Sequence, residues 1–492
     1  MSTALARRAG DAMVWRAVQL FGGKALLLAR YLILARLLDP DEFGLFAIAV
    51  VPLDVLLSAT NFGMIPALVQ RRQSETRQYD AAWTVGLARA LAIGAVVFVA
   101  APLLAGFFSE PRAAPLLRGL ALRPMLGALA SIRVADLERD LRFRSLAVLE
   151  LSSTLVAAAV SIALASAVGA WALIAGTLVG SLAGTLLSYV LAPHRPRLAL
   201  DPGSAGPLFR YGRWILLSGL IEVVGDAVLR AVISRQLGTA SVGLYFLAAS
   251  LALLPNDVVS GIVGAVAFPV HAQVQSDPRR VGLAFRASFV AMAAVLMPVY
   301  AIVAALAPSL VRYVLSPQWT GTEPVIRVLA IAGILGILFD ATSPLLQGRG
   351  QPQKLAALFT VLTTSVVTSV WALTRAYGLM GAAMAWVLAQ AVVCAVCAIY
   401  ARQALGHSPF HGLVKPLTAI AVASGMAGMI AWSIDAVLPG ILGLGTAVAA
   451  ASVVTATLLW ALDGQLGLGL LRDFAHAFPR LAERLRLPLA NA

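Results

Sequence analysis

Long apolar runs separated by short polar connections make up the chain from its N-terminal region to about residue 462. Each run reaches the roughly 20 residues that a helix needs to cross the hydrocarbon core of a bilayer. The strands of a membrane barrel would be about 10 residues long and would alternate strictly between apolar and polar side chains. The pattern therefore predicts an all-α polytopic membrane protein with about 14 transmembrane helices. The predicted spans lie near residues 13–37, 43–67, 80–106, 115–135, 145–166, 169–192, 210–234, 241–268, 284–307, 323–346, 354–375, 378–401, 412–434 and 438–462.

The composition supports this interpretation, since 60% of the residues are hydrophobic and 12% are charged. Soluble domains are nearer half apolar and a quarter charged, so a water-soluble globule is excluded. The net charge is +14, and the basic residues concentrate in every second connection. This asymmetry predicts cytoplasmic N- and C-termini, and it gives no reason to expect nucleic acid as a partner. The segment 465–492 is predicted to be a basic amphipathic tail on the cytoplasmic membrane surface.

A repeat links the two halves of the chain. The segment RLLDPDEFGLF, which starts at Arg36, matches RQLGTASVGLY, which starts at Arg235. Further pairs follow in the same order at one slightly longer offset, namely Arg118 with Arg327, and Gly169 with Gly378. Ordered matches of this kind indicate a duplication.

The duplication predicts two pseudo-symmetric six-helix lobes. The predicted lobes cover residues 1–200 and 201–405, and an additional helix pair covers 406–464. Since both lobes start on the cytoplasmic side, they are parallel repeats, which in other transporters surround a central cavity and support alternating access. The matching polar segments are interpreted as tight turns without substrate contact, in which Asp39 and Pro40 end one helix and acids start the next. Gly44 and Gly243 would allow helices to approach closely there.

The same segments resemble a known family. The stretch from Leu34 to Arg71, which begins LARLLDPDEFGLFAIAVV, is similar to the bacterial polysaccharide transporters. So is the stretch from Pro308 to Gly333, which contains LVRYVLSPQWTGTEPVIRVLAIAG. These transporters are Wzx-type flippases and exopolysaccharide exporters of the MOP superfamily, which also contains the MATE drug exporters and the lipid II flippases. The resemblance implies translocation of undecaprenyl-diphosphate-linked oligosaccharide across the inner membrane for exopolysaccharide, capsule or O-antigen synthesis. It also implies a polysaccharide polymerase and co-polymerase as partners.

Cationic side chains inside the spans are candidates for substrate binding, because ionisable groups in a membrane are costly. Lys24, Arg30 and Arg89 in the first lobe, and Arg230 in the second, are the residues predicted to bind a diphosphate in the cavity. An alternative stays open for each lobe. Arg230 would pair with Asp226 one turn away, and Lys24 and Arg30 would stabilise interhelical contacts or extend to the membrane surface. For Arg118, Arg123 and Arg327, near helix ends, a structural role is favoured.

Acidic side chains inside the spans are candidates for ion or proton coupling. They are Glu222, Asp226, Asp257 and Asp340, with Asp54 as a weaker candidate. A desolvated carboxyl group can exchange a proton or bind a cation during a transport cycle. A structural ion pair is the alternative for Asp226, and the sequence leaves open coupling to protons, to sodium or to neither.

Two other classes of protein fit the sequence less well. A MATE-like cation-coupled exporter of small molecules would need a cavity dominated by acids, whereas the intramembrane charges here are mainly basic. A membrane-embedded glycan-processing enzyme would need a long catalytic loop, and the connections are short. There is no G-x-x-x-x-G-K-[ST] motif or histidine cluster, and Cys394 and Cys397 lie inside one apolar run, so no metal or cofactor is expected.

Overall fold

The computed structural model describes residues 3–60, 76–140, 142–199, 206–275, 277–406, 408, 410 and 412–466. In this part of the chain the regular elements are all helical, as the sequence predicts. The chain divides into two compact units, Met1–Phe246 (unit 1) and Leu247–Ala492 (unit 2). The predicted basic tail lies outside the described residues from residue 467 onward, and the lobe boundaries near residues 200 and 405 stay a prediction.

Unit 1 contains nine complete helices within its described residues and the start of a tenth. They are α1 (Thr3–Leu37), α2 (Pro40–Ala59), α3 (Thr76–Phe107), α4 (Ala113–Leu120), α5 (Leu122–Ala128), α6 (Val134–Arg139), α7 (Phe143–Val168), α8 (Ala170–Leu191), α9 (Gly206–Leu237) and α10 (Thr239–Ala252).

Unit 2 begins at Leu247, within α10, and contains six further helices in its described residues. They are α11 (Leu254–Val274), α12 (Pro278–Ser309), α13 (Thr322–Gly348), α14 (Pro352–Leu405), α15 (Val414–Val437) and α16 (Ile441–Leu466). A π-helical turn at Leu310–Val314 and a 3-10 turn at Pro317–Trp319 connect α12 to α13.

By length and composition, 10 of the described helices can cross a membrane, and α10 with the first part of α11, bent by 42°, makes 11. The number of predicted spans, fourteen, is higher than this count for three physical reasons. The 54-residue α14 contains two predicted spans on either side of Gly378. The 32-residue α9 is long enough, but it carries Glu222, Asp226, Arg230 and Arg235. The predicted span 115–135 is broken into α4, α5 and the approach to α6, with Pro124 near the break.

Two glycines related by the repeat have the same unusual backbone. Gly169 between α7 and α8 has φ 57° and ψ −131°, and Gly378 inside α14 has φ 60° and ψ −140°. Glycine tolerates a positive φ of this kind because it lacks a Cβ atom. The shared conformation supports the match between Gly169 and Gly378, and it marks the kink that divides α14 into two helical halves.

The polar turn at Asp39 lies between α1 and α2, where the sequence places it. Asp39 occupies the N-cap position and Pro40 the first helical position of α2. The Glu42 carboxylate accepts a hydrogen bond from the Ala170 backbone N–H at the start of α8. An acid at a helix N-terminus is stabilised by the unpaired N–H groups there. The turn thus fastens α2 to the α7–α8 hairpin.

The repeat-related glycines Gly44 and Gly243 lie where α2 and α10 cross within unit 1. A Cβ atom on Gly44 would overlap the carbonyl oxygen of Thr239, and a Cβ on Gly243 would overlap that of Pro40. Pro40 and Thr239 are themselves matching positions of the repeat. The two turn segments therefore contact each other in a pseudo-two-fold arrangement that only glycine permits.

The C-terminal helix pair packs on α12 in unit 2 through small residues. Ile302 and Leu306 of α12 share a buried cluster with Ala427 and Ala431 of α15. Gly428 leaves room for the Ala301 backbone, since a Cβ there would come within 3.2 Å of its carbonyl oxygen. Close packing of small residues is the usual basis of helix association in lipid.

Candidate anion site in unit 1

Three arginine side chains and two carboxylates from four helices of unit 1 form the candidate site, which we call the arginine cluster. Its members are Arg30 on α1, Asp54 on α2, Arg123 on α5, and Asp226 and Arg230 on α9. The cluster combines two arginines that the sequence predicts to bind substrate, Arg30 and Arg230, with one, Arg123, for which it favours a structural role.

Arg30 is the most buried charged group of the cluster, with 6% of the residue exposed. Its Nη2 donates to the carbonyl oxygen of Leu173 at 2.9 Å and contacts the Thr177 hydroxyl at 3.4 Å. Its Nε is buried without a hydrogen-bond partner. No carboxylate of the described residues lies in ion-pair range of Arg30, so neutral dipoles orient a charge that remains uncompensated.

Arg230 is partly compensated within its own helix. Its Nη2 lies 2.8 Å from Asp226 Oδ2 one turn earlier, and its Nη1 donates to the Ala47 carbonyl oxygen at 3.0 Å. The guanidinium carbon lies 5.4 Å from the centre of the Phe246 ring, a cation–π distance. The pairing that sequence considerations leave as the alternative for Arg230 is therefore present, although its Nε is also buried without a partner.

Arg123 and Asp54 are the more accessible pair. Their closest N–O distance is 3.6 Å, and their side chains are 38% and 44% exposed. Arg123, Arg230 and Asp226 all act electrostatically on Asp54, and Arg30, Arg123, Arg230 and Asp54 all act on Tyr31 of α1. Three guanidinium groups against two carboxylates leave one excess positive charge around Tyr31.

The other predicted cations take different positions. Arg89 on α3 donates to the Thr60 carbonyl oxygen at 2.7 Å, at the C-terminal end of α2. Lys24 is half-buried on α1, six residues before Arg30. Their roles in substrate binding stay predictions.

The predicted coupling acids separate into different environments. Asp226 is ion-paired with Arg230, as described. Glu222 on α9 and Asp257 on α11 are exposed residues. Asp340 on α13 accepts hydrogen bonds from Asn256 and Ser260 in unit 2.

From the sequence a structural role is favoured for Arg123, because the residue lies near the end of a predicted continuous span. The structure shows that this span is broken, so α5 starts one residue before Arg123 and turns the side chain toward Asp54. Pro124 next to Arg123 is the local signal that could have identified the break.

Comparison with known proteins decides the family. Residues 33–324 match the family described as Polysaccharide biosynthesis protein. The chain belongs to this family. It is 30% identical over 371 residues to the succinoglycan biosynthesis transport protein ExoT of Rhizobium meliloti (strain 1021). The aligned region covers 75% of this chain and 72% of that protein. It is 23% identical over 343 residues to the lipopolysaccharide biosynthesis protein WzxC of Escherichia coli (strain K12), covering 68% and 69%.

Solved structures show the same fold. The lipid II flippase MurJ in an inward closed conformation superposes with a TM-score of 0.75 at 14% identity, over 92% of this chain and 99% of MurJ. An inward-facing multidrug resistance MATE transporter of the MOP superfamily gives a TM-score of 0.58 at 17% identity, over 80% and 94%. The family and the multi-pass helical fold expected from the sequence are confirmed.

Proposed function

We propose that this member of the polysaccharide biosynthesis family is a flippase for undecaprenyl-diphosphate-linked oligosaccharide. It moves the lipid-linked unit from the cytoplasmic to the periplasmic leaflet of the bacterial inner membrane by alternating access, without chemical conversion. The named relatives are transport and biosynthesis proteins for succinoglycan and lipopolysaccharide. The observation that carries the proposal is the net positive arginine cluster among the helices of unit 1.

The chemistry of the cluster suits a diphosphate. Guanidinium groups offer paired N–H donors that match phosphate oxygens, and such charged hydrogen bonds are stronger in a low-dielectric environment. Arg30 is the principal binding residue in this proposal, because its charge has no carboxylate partner within the described residues. Arg123, which is more exposed, can exchange its 3.6 Å contact with Asp54 for a phosphate oxygen.

The excess positive charge also argues against the MATE-like alternative. Two of the three guanidinium groups have carboxylate partners, so the cluster carries a net positive charge. This charge would repel a cationic cargo. The proposal includes cytoplasmic N- and C-termini, and a polysaccharide polymerase with its co-polymerase as the partners that act on the flipped product.

Deletion of the gene in a polysaccharide-producing bacterium tests the function. We expect lipid-linked intermediates to accumulate on the cytoplasmic side and surface polysaccharide to be lost. Unchanged polysaccharide without accumulation would contradict the proposal.

Substitution of Arg30 tests the site. Loss of a charged hydrogen bond of about 1.5–3 kcal/mol corresponds to roughly 10- to 100-fold in binding, so Arg30→Ala should weaken binding of undecaprenyl diphosphate by about that factor. Arg30→Lys should retain part of the affinity, and Arg402→Ala, at an exposed position, should match the wild type. Thermal unfolding of each variant in detergent verifies that it folds. Wild-type affinity in folded Arg30→Ala would remove Arg30 from the site.

A further inference from the structure

Asp340 is a carboxylate inside the membrane span formed by α13, where an unpaired charge is costly. Asn256 Nδ2 donates to its Oδ2 at 2.5 Å, and the Ser260 hydroxyl donates to the same oxygen at 2.9 Å. Both partners lie on α11. No lysine, arginine or histidine forms an ion pair with Asp340 in the described part of unit 2.

Two glycines on α13 border this polar site, and Gly333 leaves space that a larger residue would fill. Gly333 and Gly336 lie seven and four residues before Asp340, on the same face of the helix. A Cβ on Gly333 would overlap the ring of Tyr300 from α12. A Cβ on Gly336 would come within 3.6 Å of Asn256 Nδ2 and 3.4 Å of Gln390 Nε2 from α14. The sequence of α13 thus admits polar side chains from three neighbouring helices.

Tyr300 and Asp340 engage opposite ends of the Asn256 amide. The Tyr300 hydroxyl donates to Asn256 Oδ1 at 3.3 Å, and Tyr300 is fully buried. With its carbonyl oxygen engaged in this way, Asn256 presents its NH₂ group to the carboxylate. The order Tyr300–Asn256–Asp340 is therefore a directed chain of hydrogen bonds.

The donors around Asp340 suit a proton better than a metal ion. A hard cation needs several oxygen ligands with free lone pairs. Here the amide oxygen is occupied by Tyr300, and both neighbours of Oδ2 donate hydrogen atoms. The described residues contain no group of three or more His, Cys, Asp or Glu side chains that could hold a metal ion.

The titratable groups near Asp340 come from each helix packed around it. They are Asp257 on α11, Tyr300 on α12 and Cys397 on α14. All of them are neutral or negative, so they supply no counter-charge for an ionised Asp340. Among the groups that the structure describes around Asp340, protonation of the carboxyl group is the way to keep the site neutral within the membrane.

We propose that Asp340 takes up and releases one proton in each transport cycle, so that flipping is coupled to the proton gradient and not to sodium. An O–H bond forms on the carboxylate with a proton from water on one side of the membrane, and it breaks when the proton passes to water on the other side. No electron transfer or co-reactant is involved. This inference rests on the proposed flippase function.

The test uses the full-length protein in liposomes with a fluorescent undecaprenyl-diphosphate-linked oligosaccharide. We expect an imposed pH gradient to change the wild-type flipping rate, and replacement of sodium by choline to leave it unchanged. Asp340→Asn keeps the size of the side chain and removes the titration, so the ratio of rates with and without the gradient should fall to one. Glu323→Gln on the same helix, where the native acid pairs with Arg327 at 3.1 Å, is the matched control and should keep the gradient effect.

A second variant tests the hydrogen-bond chain separately. Tyr300→Phe frees the Asn256 carbonyl, so the pH at which flipping is half-maximal should shift while undecaprenyl diphosphate still binds. A gradient effect that persists in folded Asp340→Asn, a wild type that responds to sodium, or a wild type that flips at equal rates with and without the gradient would each overturn the coupling. Those results would leave the flippase function intact, whereas a wild type that binds no undecaprenyl diphosphate and flips no lipid under any condition would overturn the function itself.

Discussion

Glu110 and Arg112, in the connection between α3 and α4, are a compact example of charge stabilisation outside the membrane spans. Arg112 Nε lies 2.8 Å from Glu110 Oε1, and its Nη1 lies 2.8 Å from Asp41 Oδ2 at the start of α2. The Thr239 hydroxyl also donates to Glu110. The hydrogen bonds from Arg112, followed by that from Thr239, lower the pKa of Glu110 to about 2 and overcome the opposing effect of burial.

This shift predicts a pH dependence. Because the folded-state pKa of Glu110 lies below its ordinary value, its stabilisation is fully present above that value, about 4.3, and is lost as the pH falls toward about 2. Glu110→Gln should lower the unfolding temperature at pH 7 and flatten the wild-type decline between about pH 5 and pH 2. Glu138→Gln, at an exposed glutamate, should follow the wild-type curve. Thermal unfolding in detergent across this pH range is the measurement, and parallel curves for wild type and Glu110→Gln would contradict the assignment.

At the scale of elements, the α7–α8 hairpin and the two halves of α14 are the same unit used twice. Both turn at a glycine with positive φ, but their surroundings differ. The Glu42 carboxylate lies within 2.6–2.8 Å of where a Cβ on Gly169 would be, whereas nothing lies within 4 Å of a Cβ on Gly378. The first hairpin is therefore held by the Asp39 turn, and the second has open space at the matching position.

Substitutions at these two glycines can therefore separate the energetic cost of backbone strain from the contribution of the Glu42 contact. Gly378→Ala should destabilise the protein by about 1–3 kcal/mol through backbone strain alone. Gly169→Ala should have a larger effect, because the methyl group also displaces Glu42 from the start of α8. The comparison is made by thermal unfolding, with and without Glu42→Ala. If the two glycine variants were equally destabilised, the Glu42 contact would have no energetic importance.

The repeat and the turns were predictable from the sequence because they depend on local residues. Asp39-Pro40, Gly169 and Gly378 are visible as breaks between apolar runs. The break between α4 and α5 was missed, since Pro124 lies in a run apolar enough to suggest one continuous span. Hydropathy measures partition into lipid and is insensitive to a change of helix direction.

At the scale of the whole molecule, the orientation in the membrane is the prediction that follows from the distribution of charge. Residues near Glu138 lie among Arg133, Arg139 and Arg142, and such basic connections remain cytoplasmic. In a Cys394→Ala and Cys397→Ala background, Pro111→Cys should react with a membrane-impermeant maleimide in cells with a permeabilised outer membrane. Glu138→Cys should react only after the inner membrane is opened. Both native residues are exposed, so burial does not decide the outcome, and the opposite labelling pattern would invert the topology.

The sequence by itself determined the class of protein, most of the helical spans and the family, and it predicted the duplication, because each depends on composition or on order along the chain. Only the tertiary structure decided which charges meet. Arg30 contacts the carbonyl of Leu173, Asp54 pairs with Arg123, and Asp340 binds Asn256 and Ser260 on another helix. These partners are far apart in sequence, and their contacts depend on helix crossing and rotation. A membrane helix must bury its polar groups against some neighbour, and packing selects that neighbour.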